Sequence, residues 1–397
     1  MNNIIKEIKK ILIILILGIV IGTLCGFVGA LFHILIDLVT KTRETHKYIL
    51  FLLPLIGLII IFLYDILGIN GLNTNNIFNA INKNEKLSIK LIPGIFFGTI
   101  LSHLGGASVG REGAALQLGG TIGHGIGRLF KINTETLKST TIAGMGGAFS
   151  ALFGTPIAST FFALEITTVG VIKYNSLILC FISSIVASQI SKKLGITPLS
   201  FNINTNININ YILYLKVIAL ALLVSIVAYL FYKTLILTEK YSSNLIKNPY
   251  IKIIIEAIII ILISVIEGTY DYNGAGMNIV NNAINGKVIP YAFILKIIIT
   301  AISLSAGFKG GEVVPIFFIG STFGAVLSPL LGIDASLSSS LSLIGLFAAL
   351  TNAPIASIML SLEIFGNEYL LLYAIIIVIS FKLTKKISLY KSQEFNI

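Results

Sequence analysis

Arg111 and Glu112 stand side by side inside the glycine-rich stretch GGASVGREGAALQLGGTIGHGIG, from Gly105 to Gly127. A charge near a bilayer centre costs about 2.5–3.5 kcal/mol on insertion scales, so charged side chains in an apolar chain usually have a task. The run Ala114–Leu118 can open a helix, and the glycines before it, Gly110 and Gly113 among them, let backbone amides converge. A helix N-terminus with free N–H groups attracts anions. Glu112 is placed so that its own carboxylate can fill that anion site and vacate it on protonation, which would make it a gate. The competing reading is a buried Arg–Glu pair that only pins the fold.

Three further regions carry groups of the right chemistry. In Asn73–Phe78 (NTNNIF), the Thr74 hydroxyl and the Asn75 amide are neutral donors able to replace an anion's water; the plainer reading is a polar turn. Lys309–Phe318 (KGGEVVPIFF) holds a second carboxylate, Glu312, which could serve a site or cap a helix start. The phenol of Tyr390 can donate to an anion, although an interfacial tyrosine is the ordinary expectation. Glu165 and Glu363 fall at matching positions near helix ends and read as structural. His103 and His124 flank Glu112, but without HExxH spacing or cysteine ligands, so neither metal nor cofactor is expected. Cys25 and Cys180 lie in apolar surroundings and suggest packing.

The elements that hold these groups must lie in a membrane. Of 397 residues, 55% are hydrophobic and only 11% charged, where soluble domains carry about 25%. Ile11–Asp37 and Tyr48–Leu67 are long enough to cross roughly 30 Å of hydrocarbon. The net charge of +11 gathers at the ends of apolar runs: Lys6, Lys9 and Lys10 at the start, and Lys382, Lys385, Lys386 and Lys391 in the tail. That is the pattern of a chain with both termini cytoplasmic in a cell membrane, and it calls for no nucleic-acid partner. Between the long spans lie short, glycine-broken segments: Leu91–Leu104, Ala114–Leu129, Ser139–Leu152 and Pro156–Val169. Helices that stop inside a membrane are tolerated only where they line a buried cavity.

The chain also repeats itself. Ala148–Ile166 (AFSALFGTPIASTFFALEI) and Leu346–Ile364 (LFAALTNAPIASIMLSLEI) align without a gap, and ten of nineteen positions are identical. Gly110–Gly123 aligns with Gly311–Gly324. The polar break Leu199–Asn210 separates the halves, giving repeat units of 1–200 and 211–397 with no soluble domain after them. An odd number of crossings in each would make them inverted, with a transport site at their interface.

At these motifs the chain resembles the CLC family of chloride channels and anion/proton antiporters. The likeness rests on GREG at Gly110–Gly113, the repeat ending in LEI, and GGEVVP at Gly310–Pro315. The resemblance implies an all-α integral membrane fold of two inverted repeats with many tilted and partial helices, assembled as a homodimer with a pore in each subunit. Chloride-type members carry GSGIP, GREGP and GxFxP; here NTNNI, GREGA and GEVVP stand in their places. These departures resemble the fluoride-exporting CLC-F branch. On that likeness Glu112 matches the gating glutamate, Glu312 the branch's second glutamate, Val314 a position where threonine is common, and Tyr390 the pore tyrosine. Thr74, with Asn75 next, matches the variable first pore position. Ile166 stands where chloride exchangers keep an internal proton-accepting glutamate.

The expected function is therefore fluoride/proton antiport across the bilayer. The alternatives are a chloride or other anion/proton antiporter, or a passive anion channel, of the same fold. From another class, an intramembrane hydrolase built on Glu112 with His103 or His124 would need a metal or nucleophile that the sequence does not display.

Overall fold

The computed structural model describes residues 2–204, 207–385 and 387–396, with side chains at Lys9 and from Ile11 onward. The side chains of Lys6 and Lys10, the whole of Lys386, and residues 205 and 206 of the expected linker lie outside that description.

Among the described residues there are sixteen α-helices, eight on either side of the 194–210 segment. The first eight are α1 (Asn2–Thr45), α2 (Leu53–Leu67), α3 (Thr74–Asn82), α4 (Leu91–Gly105), α5 (Glu112–Leu129), α6 (Thr134–Phe153), α7 (Pro156–Glu165) and α8 (Leu177–Lys193). The second eight are α9 (Tyr211–Leu245), α10 (Pro249–Glu267), α11 (Met277–Ile284), α12 (Ala292–Ala306), α13 (Val313–Leu331), α14 (Ala335–Thr351), α15 (Pro354–Phe365) and α16 (Leu370–Leu383). Long and short elements recur in the same order, as the sequence repeat requires. Among the described residues, six helical stretches are long and apolar enough to cross a bilayer, Ile11–Thr45, Tyr211–Leu245 and Val313–Leu331 being three of them.

The broken helices end where glycine and proline dictate. α4 and α12 stop at Gly106 and Gly307, both in the left-handed region, φ 88° and 101°. α7 and α15 each begin with proline, whose missing N–H costs nothing at a first turn. α5 packs against α6 almost backbone to backbone: a Cβ on Gly119 would fall on the carbonyl of Gly144, and one on Gly123 on the carbonyl of Thr140. Small residues let helices approach in this way without a hydrophobic driving force.

The halves meet around an aromatic core. Phe149 and Phe153 of α6, Phe162 of α7, Phe317 of α13 and Phe347 of α14 form an unbroken set of ring contacts with centroids 4.7–6.1 Å apart. Such pairs contribute about 0.5–1.5 kcal/mol each beyond their burial. Glu165 and Glu363 then tie the halves together. Glu165 accepts from the amides of Ile355 and Ala356 at 3.2 and 3.0 Å, while Glu363 accepts from Ile157 and Ala158 at 3.0 and 2.8 Å. Each carboxylate, at the C-terminal end of its own helix, caps the N-terminus of the corresponding helix in the other half.

Three expectations change. NTNNIF is not a turn: Asn73 caps α3, with Asn73 and Asn76 exchanging bonds between side chain and backbone. The first span runs past Asp37 to Thr45, because no glycine or proline interrupts Leu31–Thr45. The segment Pro156–Val169 is helical only to Glu165, after which Thr168–Val169 forms a short strand, β1.

Candidate functional site

The site forms where the two glycine loops touch. Gly110 and Gly311 exchange backbone hydrogen bonds, N to O at 2.6 and 2.8 Å, as an isolated antiparallel bridge. A Cβ on Gly113 would lie 3.0 Å from Gly311 Cα, so side chains there would force the loops apart. This contact sets the N-termini of α5 and α13 side by side. Each brings unpaired N–H groups and the positive end of a helix dipole. The place where they converge favours an anion.

A carboxylate already sits there. Glu112 is fully buried, and its Oε2 accepts a 3.3 Å hydrogen bond from the Val314 amide of α13. Its Oε1 is buried with no hydrogen-bond partner among the described residues. The expected alternative, an Arg111–Glu112 pair, is not formed. The Arg111 guanidinium turns the other way and meets Asp37 at 3.6 Å. Val314 contributes its backbone N–H, its side chain being buried in the core.

Glu312 takes the N-cap position of α13, equivalent to Arg111 at the start of α5. Its carboxylate makes no capping bond, which removes the helix-cap reading. Glu312 is half-buried. Three residues before it, the ammonium of Lys309 lies 4.1 Å from the centre of the Tyr64 ring.

Tyr390 reaches the site by a route that the sequence did not display. After α16 the chain turns back, and Glu394–Phe395 (β2) pairs in parallel with β1. Gln393 Nε2 donates to the carbonyls of Ile166 and Thr351 at 2.7 and 2.9 Å, and the Ser392 amide donates to Asn75 Oδ1 at 2.8 Å. This strap buries Tyr390 to 3% exposure and sets its ring against Phe78, 5.2 Å between centroids. The interfacial-tyrosine reading fails on that burial. The Tyr390 hydroxyl has no partner among the described residues.

α3 links the strap to α5. Thr74 is buried, and its hydroxyl accepts from Gln117 Nε2 at 3.1 Å, leaving its proton free to donate. Asn75 is turned toward Ser392 and holds the strap. The two neighbours therefore have different surroundings. Gln117 was not singled out from the sequence, although it lies five residues after Glu112 on the same helix. Its Oε1 is buried and unpartnered among the described residues.

On the other side of Arg111 a cavity of about 730 Å³ opens between α1, the α4–α5 loop and the loop before α11. His33, Asp37, Arg43, His103 and Arg111 line it. His103 and His124 do not converge: the first lies under Arg43, which donates to its carbonyl at 2.6 Å, and the second faces the Thr141 hydroxyl at 3.4 Å. Neither is a hydrogen-bond partner of Glu112.

Comparison with known proteins bears on the family and the fold. The chain is 30% identical over 381 residues to the "Chloride/fluoride channel protein" of Pseudomonas syringae pv. tomato, covering 94% of this chain and 84% of the relative. A solved structure described as a CLC-type fluoride/proton antiporter superimposes with a TM-score of 0.93 at 30% identity, over 98% of this chain and 99% of that one. A slow cyanobacterial chloride/proton antiporter shares the fold, with a TM-score of 0.81 at 18% identity over 94% of each chain. The family described as "Voltage gated chloride channel" matches residues 56–385, and the chain, a multi-pass membrane protein of the CLC fold, belongs to it.

Proposed function

We propose that this protein is a fluoride/proton antiporter in which Glu112 is both the gate and the proton carrier. One observation carries the reading: the Glu112 carboxylate occupies the anion position at the N-terminus of α13. While ionised it competes with a free anion for the converging amides. When protonated it loses that attraction, swings out, admits fluoride and takes its proton along. Thr74, Tyr390, Glu312 when protonated, and the amides of Gly113 and Val314 would then supply compact donors for a tightly hydrated anion, while Gly110, its amide bonded to the Gly311 carbonyl, holds the two loops together. Asn75 supports Tyr390 by fixing the strap.

The choice of fluoride is supported by the departures from the chloride-type motifs and by the two relatives whose descriptions name it. The activity is transport and not catalysis. The two units, 1–200 and 211–397, are read as inverted repeats, supported by the reciprocal caps and by the Gly110–Gly311 bridge. We read it as a homodimer in the cell membrane with both termini cytoplasmic, an orientation supported by the lysines at the chain ends, which would open the cavity beyond Arg111 outward.

The test is efflux of fluoride and of chloride from proteoliposomes, with internal pH recorded in the same vesicles. Fluoride should leave at least about tenfold faster than chloride, a difference of about 1.4 kcal/mol in barrier, with protons moving inward. Glu112→Gln should abolish proton movement. Proton pumping by that variant would remove Glu112 from the coupling; faster chloride efflux would favour the chloride antiporter, and fluoride efflux without protons in the wild type a passive channel.

A further inference from the structure

The outer cavity ends at Arg111, one residue from the gate, and its wall carries a carboxylate where an exit for anions would do better without one. Asp37 on α1 has 52% of its side chain exposed, beside His33 and Arg111 at 13% and 14%. His33 Nε2 lies 3.2 Å from Asp37 Oδ2, and Arg111 lies 3.6 Å from Asp37 Oδ1. His33 Nδ1 is buried with no hydrogen-bond partner among the described residues. Lys41, one turn further along α1, also lines the cavity. Around the same cavity stand Arg43, Glu44 and Lys47 near the end of α1, His103 on α4, and Asp271 before α11.

Two costs make this arrangement informative. Opposite charges about 4 Å apart attract by roughly 1 kcal/mol in water and 4 kcal/mol near a protein surface, so an unopposed Arg111 would hold the neighbouring Glu112 ionised. A negative Asp37 in turn repels a departing anion. What it gives in exchange is a partner for Arg111 and an imidazole held against a carboxylate, a group able to take up a proton and hand it on. The cavity, at about 730 Å³, has room for connected water, since one water occupies about 30 Å³.

We propose that His33 and Asp37 form a proton-exchange station for the gate, a role that rests on the antiport reading above. His33 takes a proton from the outer solution, and Asp37 stabilises the imidazolium. The His33 N–H bond breaks and an O–H bond forms on the Glu112 carboxylate through intervening water, and the neutral Glu112 then swings out of the anion site. Neutral His33 then reloads from solution. Asp37 also draws the Arg111 guanidinium away from Glu112, so that the carboxylate can accept the proton. Both are positioning and relay residues that do not bind fluoride.

The experiment is coupled fluoride and proton flux in proteoliposomes for wild type, Asp37→Asn, Asp37→Glu and His33→Gln, with the pH of both sides varied together from 5.5 to 8. Asp37 is half-exposed, so asparagine leaves its surroundings intact. Asp37→Asn and His33→Gln should lower turnover about tenfold at pH 8 and by less than about twofold at pH 5.5, where free protons reach the gate unaided. The apparent KM for fluoride should stay unchanged, and Asp37→Glu should restore most of the rate. A wild-type pH profile in Asp37→Asn overturns the proposal. So does an equal loss at every pH that glutamate fails to rescue, because that is the mark of a structural role. If wild-type vesicles move fluoride without protons, the antiport reading falls and the relay with it; if the wild type couples and Asp37→Asn behaves like it, only the relay falls.

Discussion

At the residue scale the site depends on which partner each polar atom takes. Glu112 was legible because a carboxylate in an apolar, glycine-rich run stands out against its surroundings. Its separation from Arg111 was not, since adjacent opposite charges read as a pair until Asp37, 74 residues upstream, is seen to take the arginine. Thr74 and Asn75 could not be ranked from the sequence, and their contacts now separate them. Thr74 accepts from Gln117 and keeps a proton to donate, while Asn75 binds Ser392. Thr74→Val keeps the side-chain shape but leaves Gln117 Nε2 unpaired, which costs about 1–3 kcal/mol. Fluoride turnover should fall about tenfold or more, and Thr74→Ser should retain it, since the hydroxyl survives. Wild-type efflux from the valine variant would place the Thr74 hydroxyl outside the anion path.

At the element scale the broken helices were readable from glycine and proline, and the repeat was readable from its own identity. What escaped was short or distant. α3 spans only nine residues, too few for a periodic signal, and its capping box is built from asparagines that look like a turn. The strap carrying Tyr390 is held by a two-residue strand and by Gln393, for which no sequence period exists. The reciprocal caps of Glu165 and Glu363 were expected to be structural, and their geometry explains why both halves keep one. A carboxylate at a helix N-terminus is worth up to about 2 kcal/mol in a partly buried setting, with charge-assisted bonds adding to it. Glu165 is more deeply buried than Glu363. Glu165→Ala should therefore lower the thermal unfolding midpoint in detergent more than Glu363→Ala, by an amount equivalent to about 2 kcal/mol. The fluoride-to-proton ratio should be the same in both variants and the wild type. A changed ratio in Glu165→Ala would put that glutamate on the proton route after all.

At the scale of the whole molecule, the fold brings the N-termini of α5 and α13 to one point, where the proposed mechanism makes the Glu112 carboxylate a titratable lid. The consequence can be stated as a gradient. One charge crossing 100 mV is worth about 2.3 kcal/mol, and about 1.4 kcal/mol corresponds to a tenfold ratio, so a passive fluoride pore supports fewer than two decades. One-for-one exchange moves two charges and adds the pH difference. With one pH unit, alkaline inside, the total is about 6 kcal/mol, or roughly four decades. The difference matters for an anion whose protonated form, HF, is neutral and can re-enter through lipid. Vesicles clamped at 100 mV, inside negative and one pH unit alkaline, should therefore show net fluoride efflux until the outside-to-inside ratio approaches about 10⁴. The ratio of zero net flux is read directly by varying external fluoride. In Glu112→Gln, any remaining flux should reverse below about 10², because only the membrane potential then drives it. A wild-type reversal below 10² would mean that fluoride crosses uncoupled, and that the buried carboxylate on the α13 N-terminus closes a channel without carrying a proton.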